Sequence, residues 1–461
     1  MKLLGLLVAL AGTALLQDPR PDAARPAPAA PTPGAAAPQV PGVPVPQVPE
    51  VSAPQVPEPP VLDCTAPFDQ ATFEASLGRI AAAYPDLMRV RSLGKSRGGK
   101  DLWLAAVGDT AEGDPGRRPA ALVITALGTV PPRSPAPNLH GAAHPSADPR
   151  PAGPEAVVFA LASLLERART DRAVRERLQR STLYFLPAPD PDSAFPPTEA
   201  DAAPAPRPPR LDRNFPAGWE PYDAEPGARG PYALCEPESR TLARFLLDRN
   251  NLSIVVDVSA AGPSLEAPKG AASARPAVDP PGAPIPEPPG SLEAFCRETL
   301  NATVVRAEPW TGAIRTGPSG TAPEGFFALE SLLEGTLDEL PRLECGSARI
   351  ERLRPDLWIV DVPLSNPGRY STFGRGSPAA PVGVVRLNAG GARVVACALR
   401  HGENESYEAL RGTRTGYSLG HLEARATVGV RLVVQAEEGA TVDLTVDSPR
   451  SGSARASVVL R

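Results

Sequence analysis

The 461-residue chain is short of the residues that most often carry chemistry: it has four histidines, two methionines and 5% aromatic residues. Its cysteines, Cys64, Cys235, Cys296, Cys345 and Cys397, stand too far apart for a CxxC pair, which excludes a metal knuckle. One or two disulfides with a leftover thiol, or buried free thiols, both fit that spacing. No long basic run breaks a net charge of −5, which excludes the electrostatic footprint of a nucleic-acid binder. The apolar run in "MKLLGLLVALAGTALLQ" is too short and too weakly flanked for a membrane span.

What the chain has in excess is proline, 60 residues. Proline is excluded from helix interiors and central strands, so long loops and linkers must form much of the surface. Residues 1–16 read as a signal peptide, with Gly12 and Ala14 as the small residues before a cleavage site. The expected location is therefore secreted, periplasmic or cell-surface, with membrane contact only if that leader stays uncleaved. Residues 17–62 are a Pro/Ala-rich linker in which PQVP recurs at Pro38, Pro46 and Pro54, a semi-rigid polyproline II spacer.

From residue 63 to 341 helical and strand patterns alternate. "DQATFEASLGRIAAAYPDL" has helical spacing and stops at Tyr84–Pro85. "LMRVRSLGKSRGGKDLWLAAVG" reads as a hairpin turning at Gly98–Gly99. "PAALVITALG", "STLYFLPAP", "LSIVVDVSAAG" and "ATVVRAEPW" read as strands. "GPEAVVFALASLLERARTDRAVRERL" (one helix or two), "EPESRTLARFLLDRN", "SLEAFCRETL" and "EGFFALESLLEGTLDELP" read as helices. This alternation predicts α/β architecture with a largely parallel sheet. Residues 342–461 change to short strands separated by turns, which predicts an all-β sandwich.

Several blocks together resemble the zinc carboxypeptidases, the carboxypeptidase A-like metallopeptidases. "AAYPDLMRVRSLGKSRGGKDLWLAAVG" resembles their opening helix and hairpin, and "FLPAPDPDS" their strand ending in an Asn-Pro-Asp-Gly turn. "LDRNFPAGW" resembles the Asn-Arg-Asn-Phe block, "LCEPESRTLARFL" the helix after it, and "VVRAEPW" the strand bearing the catalytic glutamate. The resemblance covers roughly residues 64–341. The trailing region looks like the β-domain that follows some bacterial members. The implied fold is an α/β/α domain with a mixed, largely parallel sheet, followed by a β-sandwich.

The resemblance also implies a site, and this chain departs from it. The family's Asp-Leu-His strand end, whose His binds zinc, is matched by Asp257–Val258–Ser259, with Ser259 at the ligand position. Counting back from Gly153, the His-x-x-Glu ligand pair falls on Ala147 and Arg150, and no His-x-x-Glu occurs in the chain. Asp212–Arg213–Asn214 matches the substrate-binding Asn-Arg-Asn, so Arg213 stands where the family clamps a substrate's terminal carboxylate, with Asp212 expected to cancel part of its charge. Glu308 takes the general-base position. The segment 262–290, where the substrate-covering tyrosine belongs, has no tyrosine.

The family mechanism uses zinc to polarise the scissile carbonyl and to lower the pKa of bound water from about 16 to about 7. Methyl, guanidinium and hydroxyl groups do not replace its ligands. The expectation is a pseudo-peptidase that needs no cofactor and binds peptide or peptidoglycan-like ligands through the old cleft. The alternatives are an active metallocarboxypeptidase with a rebuilt zinc site and a structural surface protein. His140, His144 and Asp148 would supply the rebuilt site, although Pro137 and Pro145 favour a solvated loop. His401 and His421 fall in the β-region as structural or exposed residues. Plainer readings stand beside the rest: Arg213 in a buried ion network, Glu308 as a capping or pairing group, Asp257 as a structural strand end. Ser259 has no base placed to make it a nucleophile. Proline-rich inserts at 111–154, 186–209 and 263–290 are expected to rim the cleft, as a plug or a new binding surface.

Overall fold

The computed structural model describes residues 62, 68–110, 115–125, 127, 153–196, 210–221, 229–258, 289–306, 324–373, 385–402, 404–413 and 416–461. The hairpin forms as expected: β1 (Met88–Lys95) pairs antiparallel with β2 (Asp101–Val107). Ser96 N donates to Lys100 O at 2.8 Å across the turn, and Gly99 sits at φ +82°, a left-handed position that costs glycine nothing.

Uncharged runs then make the centre of the sheet. AALVI is β3 (Ala120–Ile124), TLYFL is β4 (Thr182–Leu186), and LSIVV supplies all but the last residue of β5 (Leu252–Asp257). All fifteen of those residues are buried, as strands covered on both faces require. With β6 (Thr303–Arg306) they build a six-stranded sheet in the order β1-β2-β4-β3-β5-β6. The pairs β4–β3, β3–β5 and β5–β6 are parallel, and β1 and β2 run antiparallel at one edge.

Helices cover both faces. Gln70–Ala83, Pro154–Thr170, Arg172–Arg180 and Glu324–Glu339 pack on one, and Pro237–Asp248 and Leu292–Phe295 on the other, giving three α/β/α layers. Asp69 caps the first helix by accepting from Thr72 N at 2.7 Å, and the helix ends at Tyr84, before Pro85. The long amphipathic stretch is two helices. Asp171 is the C-cap of one and the N-cap of the other, its carboxylate accepting from Ala173 N at 2.8 Å. "SLEAFCRETL" is helical only through Phe295. It then widens into a π turn, Cys296–Leu300, closed by Asn301 in left-handed conformation.

The remaining strands are β7 (Glu344–Cys345), β8 (Arg349–Arg354), β9 (Leu357–Ser365), β10 (Val385–Gly390), β11 (Arg393–Arg400), β12 (Glu408–Ala409), β13 (Gly412–Thr413), β14 (Gly416–Gly420), β15 (Thr427–Gln435), β16 (Thr441–Ser448) and β17 (Gly452–Val459). They form two antiparallel sheets, β13-β14-β10-β16-β17 and β12-β11-β15-β9-β7, with β8 also on β9. Period-two alternation sends Trp358, Val360, Val362 and Leu364 of β9 inward with Val428, Val430, Leu432 and Val434 of β15. Among the described residues Cys235, Cys345 and Cys397 are free thiols, and Cys296 is buried. Among the described residues no helix is long and apolar enough to cross a membrane.

Candidate functional site

Strand order places the site. The chain leaves β3 toward β4 on one side and leaves β5 toward β6 on the other, so the crevice past the carboxyl ends of β3 and β5 is a topological switch point. Ile124 and Asp257 are cross-strand partners at this edge, and Val258 N donates to Ile124 O at 2.8 Å just beyond it. Asp257 is also the register partner of Arg306 on β6. Thr125 Oγ1 donates to Pro187 O at 2.7 Å, tying the end of β3 to the end of β4.

Arg213 closes a short 3-10 turn, Leu211–Arg213, and its side chain is one-quarter exposed. Asp212 does not simply neutralise it. Arg210 grips both Asp212 oxygens, Nε–Oδ1 at 3.1 Å and Nη2–Oδ2 at 2.8 Å, whereas Arg213 Nε reaches Oδ2 at 3.7 Å. Asn214 points the other way and is fully buried. Its Nδ2 donates to Arg229 O (2.8 Å), Tyr232 O (3.3 Å) and Cys235 Sγ (3.1 Å), while Oδ1 accepts from Glu236 N (3.2 Å) and Ser239 Oγ (2.5 Å). The hydrogen-bonding capacity of Asn214 is thus used within the protein to fix the loop that carries Arg213.

This network reaches the hairpin turn. Arg97 Nη2 meets Glu236 Oε1 at 2.5 Å, and Arg97 N donates to Glu238 Oε1 at 2.8 Å. Asp192 accepts from Ser96 Oγ (3.0 Å) and Gly98 N (2.7 Å), with Lys100 Nζ at 3.8 Å. Glu238 Oε2 is buried with no partner among the described residues, and burial pushes the Glu238 carboxyl above the usual carboxylate range, as it does that of Asp190. These groups anchor the helix Pro237–Asp248 and the β1–β2 turn against the Arg213 loop.

Gly290, which sequence reasoning passed over, holds the loop from the far side. Its N donates to Ala217 O (2.7 Å), its O accepts from Phe215 N (2.8 Å), and its φ is +77°. A Cβ there would stand 2.5 Å from Arg213 O. The readable signal was the Pro-Gly pair immediately before the Ser291 N-cap.

Of the predicted site residues, Asp212, Arg213 and Asn214 come together in this loop. Ala147, Arg150, Ser259, Glu308, His140, His144 and Asp148 lie outside the described residues, as do the leader, the linker and most of the proline-rich inserts. Gly153, from which the Ala147 and Arg150 positions are counted, is the N-cap of Pro154–Thr170. Among the described residues no group of three or more His, Cys, Asp or Glu is placed to hold a metal. His401 is exposed, and His421 meets Phe373 edge-on with ring centroids 4.6 Å apart.

Residues 73–281 match the family model of the zinc carboxypeptidases. Carboxypeptidase A from Helicoverpa armigera is similar at 17% identity and a TM-score of 0.31, over 42% of this chain and 46% of that one. A metallo-carboxypeptidase from Burkholderia cenocepacia is similar at 17% identity and a TM-score of 0.25, over 41% and 40%. This chain therefore spans less than half the length of either enzyme. The archaellum periplasmic stator protein FlaG from Sulfolobus acidocaldarius is similar at 12% identity and a TM-score of 0.15, over 26% of this chain and 100% of that one. Among curated proteins none matches.

Proposed function

We propose that this chain, whose residues 73–281 are a zinc carboxypeptidase-family domain, is an exported and catalytically silent relative of those enzymes that holds the carboxylate end of a peptide or cell-wall ligand at Arg213. The observation that carries this reading is the Arg210–Asp212–Arg213 arrangement. Two guanidiniums flank one carboxylate, two positive charges against one negative, and Arg210 takes both carboxylate oxygens. Among the described residues the one ion-pair contact of Arg213 is this one at 3.7 Å, which leaves its planar fork for an incoming carboxylate.

Silence rests on the chemistry of the donor set. Ala147 offers a methyl, Arg150 a cation and Ser259 a neutral hydroxyl, and this set does not fit zinc. Without the metal, Glu308 faces water with a pKa of about 16, a poor nucleophile for an amide. Export to the cell surface rests on the apolar leader and the proline-rich arm that follows it.

The test uses the full chain dialysed against zinc. Metal per chain is measured by elemental analysis, release of C-terminal residues is assayed, and binding of a short peptide is compared with that of its C-terminal amide. The expected result is no stoichiometric zinc, no hydrolysis, and carboxylate-dependent binding that Arg213→Gln removes. Zinc near one per chain with peptide hydrolysis overturns the silent reading and turns attention to His140 and His144. Equal binding of acid and amide removes the role given to Arg213.

A further inference from the structure

At the opposite edge of the sheet, before the amino ends of β3 and β4, the α/β layers and the sandwich flank an open cavity of about 810 Å³. Its walls come from Arg117–Pro119, from Gln179–Ser181, from the end of the helix Glu324–Glu339 and the chain just after it, and from the start of β17. The volume lies in the range of small-molecule sites, but the lining is cationic rather than apolar. Six arginines face it with one carboxylate, Glu344.

Some of that charge is balanced locally. Arg342 Nε meets Glu344 Oε1 at 3.0 Å, and Arg177 Nε meets Asp338 Oδ1 at 2.9 Å. Arg118 donates to the carbonyls of Gln179 and Asp109. Arg117, Arg180 and Arg455 have no carboxylate within ion-pair distance among the described residues. Arg180 commits only its Nε, to Glu176 O at 3.2 Å. Beside them Ser451 is buried, and its hydroxyl has no hydrogen-bond partner among the described residues. A buried hydroxyl without a partner is uncommon in a folded protein. Gathering unbalanced guanidiniums around one concavity also costs self-repulsion that an anion would relieve.

We propose that this cavity binds a small polyanion carrying at least two phosphate or carboxylate groups. Each guanidinium presents paired N–H donors that match two oxygens of such a group. Arg117, Arg180 and Arg455 come from three separate chain segments, so a ligand with one charge engages only part of the set. The site lies at the far edge of the sheet from Arg213 and is independent of the role proposed there.

The test is isothermal titration of the full chain with tripolyphosphate and with citrate, at low and moderate salt. The expected result is one site per chain that weakens as salt rises. Arg180→Gln and Arg455→Gln should each weaken it by about tenfold, the scale of one charge-assisted pair. Both residues are exposed, so thermal melting should not fall and rises slightly where self-repulsion is relieved, and Arg117→Gln replaces either substitution that fails to fold. Tighter binding of tripolyphosphate assigns phosphate chemistry and tighter binding of citrate assigns carboxylate chemistry, and either supports the site. No heat from either probe overturns it. So does an equal loss on Arg349→Gln, an exposed arginine of β8 that does not line the cavity.

Discussion

Arg450, on the turn between β16 and β17, donates from Nη1 to the carbonyl of Leu300 at 3.1 Å, 150 residues earlier in the chain. Its Nη2 donates to Asn301 O at 2.7 Å. The acceptors close the π turn Cys296–Leu300, where backbone carbonyls lack partners and the helix dipole is negative. Arg450 is 2% exposed, and burial pushes its guanidinium down to about 10. Carbonyls thus take both terminal nitrogens of a buried cation whose Nε has no partner among the described residues, and the contact joins the sandwich to the α/β layers.

Arg450→Ala should destabilise the protein by about 3 kcal/mol, because it leaves a cavity and two buried carbonyls unsatisfied. Arg450→Met fills the space and removes the buried charge, so it should cost less than the alanine change. Urea unfolding checks this, and a wild-type midpoint for Arg450→Ala would refute the joint.

Glu238 gives a pH dependence of defined sign. Burial raises its folded pKa above the unfolded value, so the folded state binds more protons than the unfolded state between the two. Its contribution to stability is therefore present at acid pH and lost as pH rises through the carboxylate range. Glu238→Gln should stabilise the chain by about 1 kcal/mol at pH 7, the scale of a buried acceptor without a partner, and by less at acid pH. Melting at both pH values reads this. An equal or opposite shift would contradict it.

Arg210 is predicted to protect Arg213 from its own neighbour. Arg210→Gln frees the Asp212 carboxylate to close the 3.7 Å gap to Arg213. Affinity for a peptide carboxylate should fall several-fold, about 1 kcal/mol. Adding Asp212→Asn to Arg210→Gln should restore it. If the double variant binds as weakly as Arg210→Gln alone, Asp212 is not the competitor.

Gly290→Ala should cost about 2 kcal/mol, since φ is +77° and the new Cβ meets Arg213 O. It should also weaken carboxylate binding by moving the Arg213 turn. Unchanged melting and unchanged binding together would show that the loop gives way elsewhere.

Much of the α/β architecture is readable from local signals. Asp69 before a helical period, Tyr84–Pro85 after it, and the uncharged runs of β3, β4 and β5 each specify their element from within a few residues. The break at Asp171 was less legible, because apolar periodicity continues through a residue that caps both helices. The π turn after Phe295 has no sequence signature, since its widened bonding depends on packing around Leu300 and Asn301. Asn214 matches the family's Asn-Arg-Asn block in sequence, and only the tertiary structure shows that its buried amide also holds the loop.

The sequence by itself determined which segments become strands and helices, that the C-terminal strands alternate inward and outward, and which residue types occupy the expected zinc positions. These depend on neighbours a few places apart or on identity alone. Tertiary structure decided that Arg210, not Arg213, takes the Asp212 carboxylate. It also decided that Arg450 closes a turn 150 residues away and that Arg117, Arg180 and Arg455 face one cavity. Those outcomes arise from side-chain direction and from strand order in the sheet. Neither is encoded in the spacing of residues along the chain.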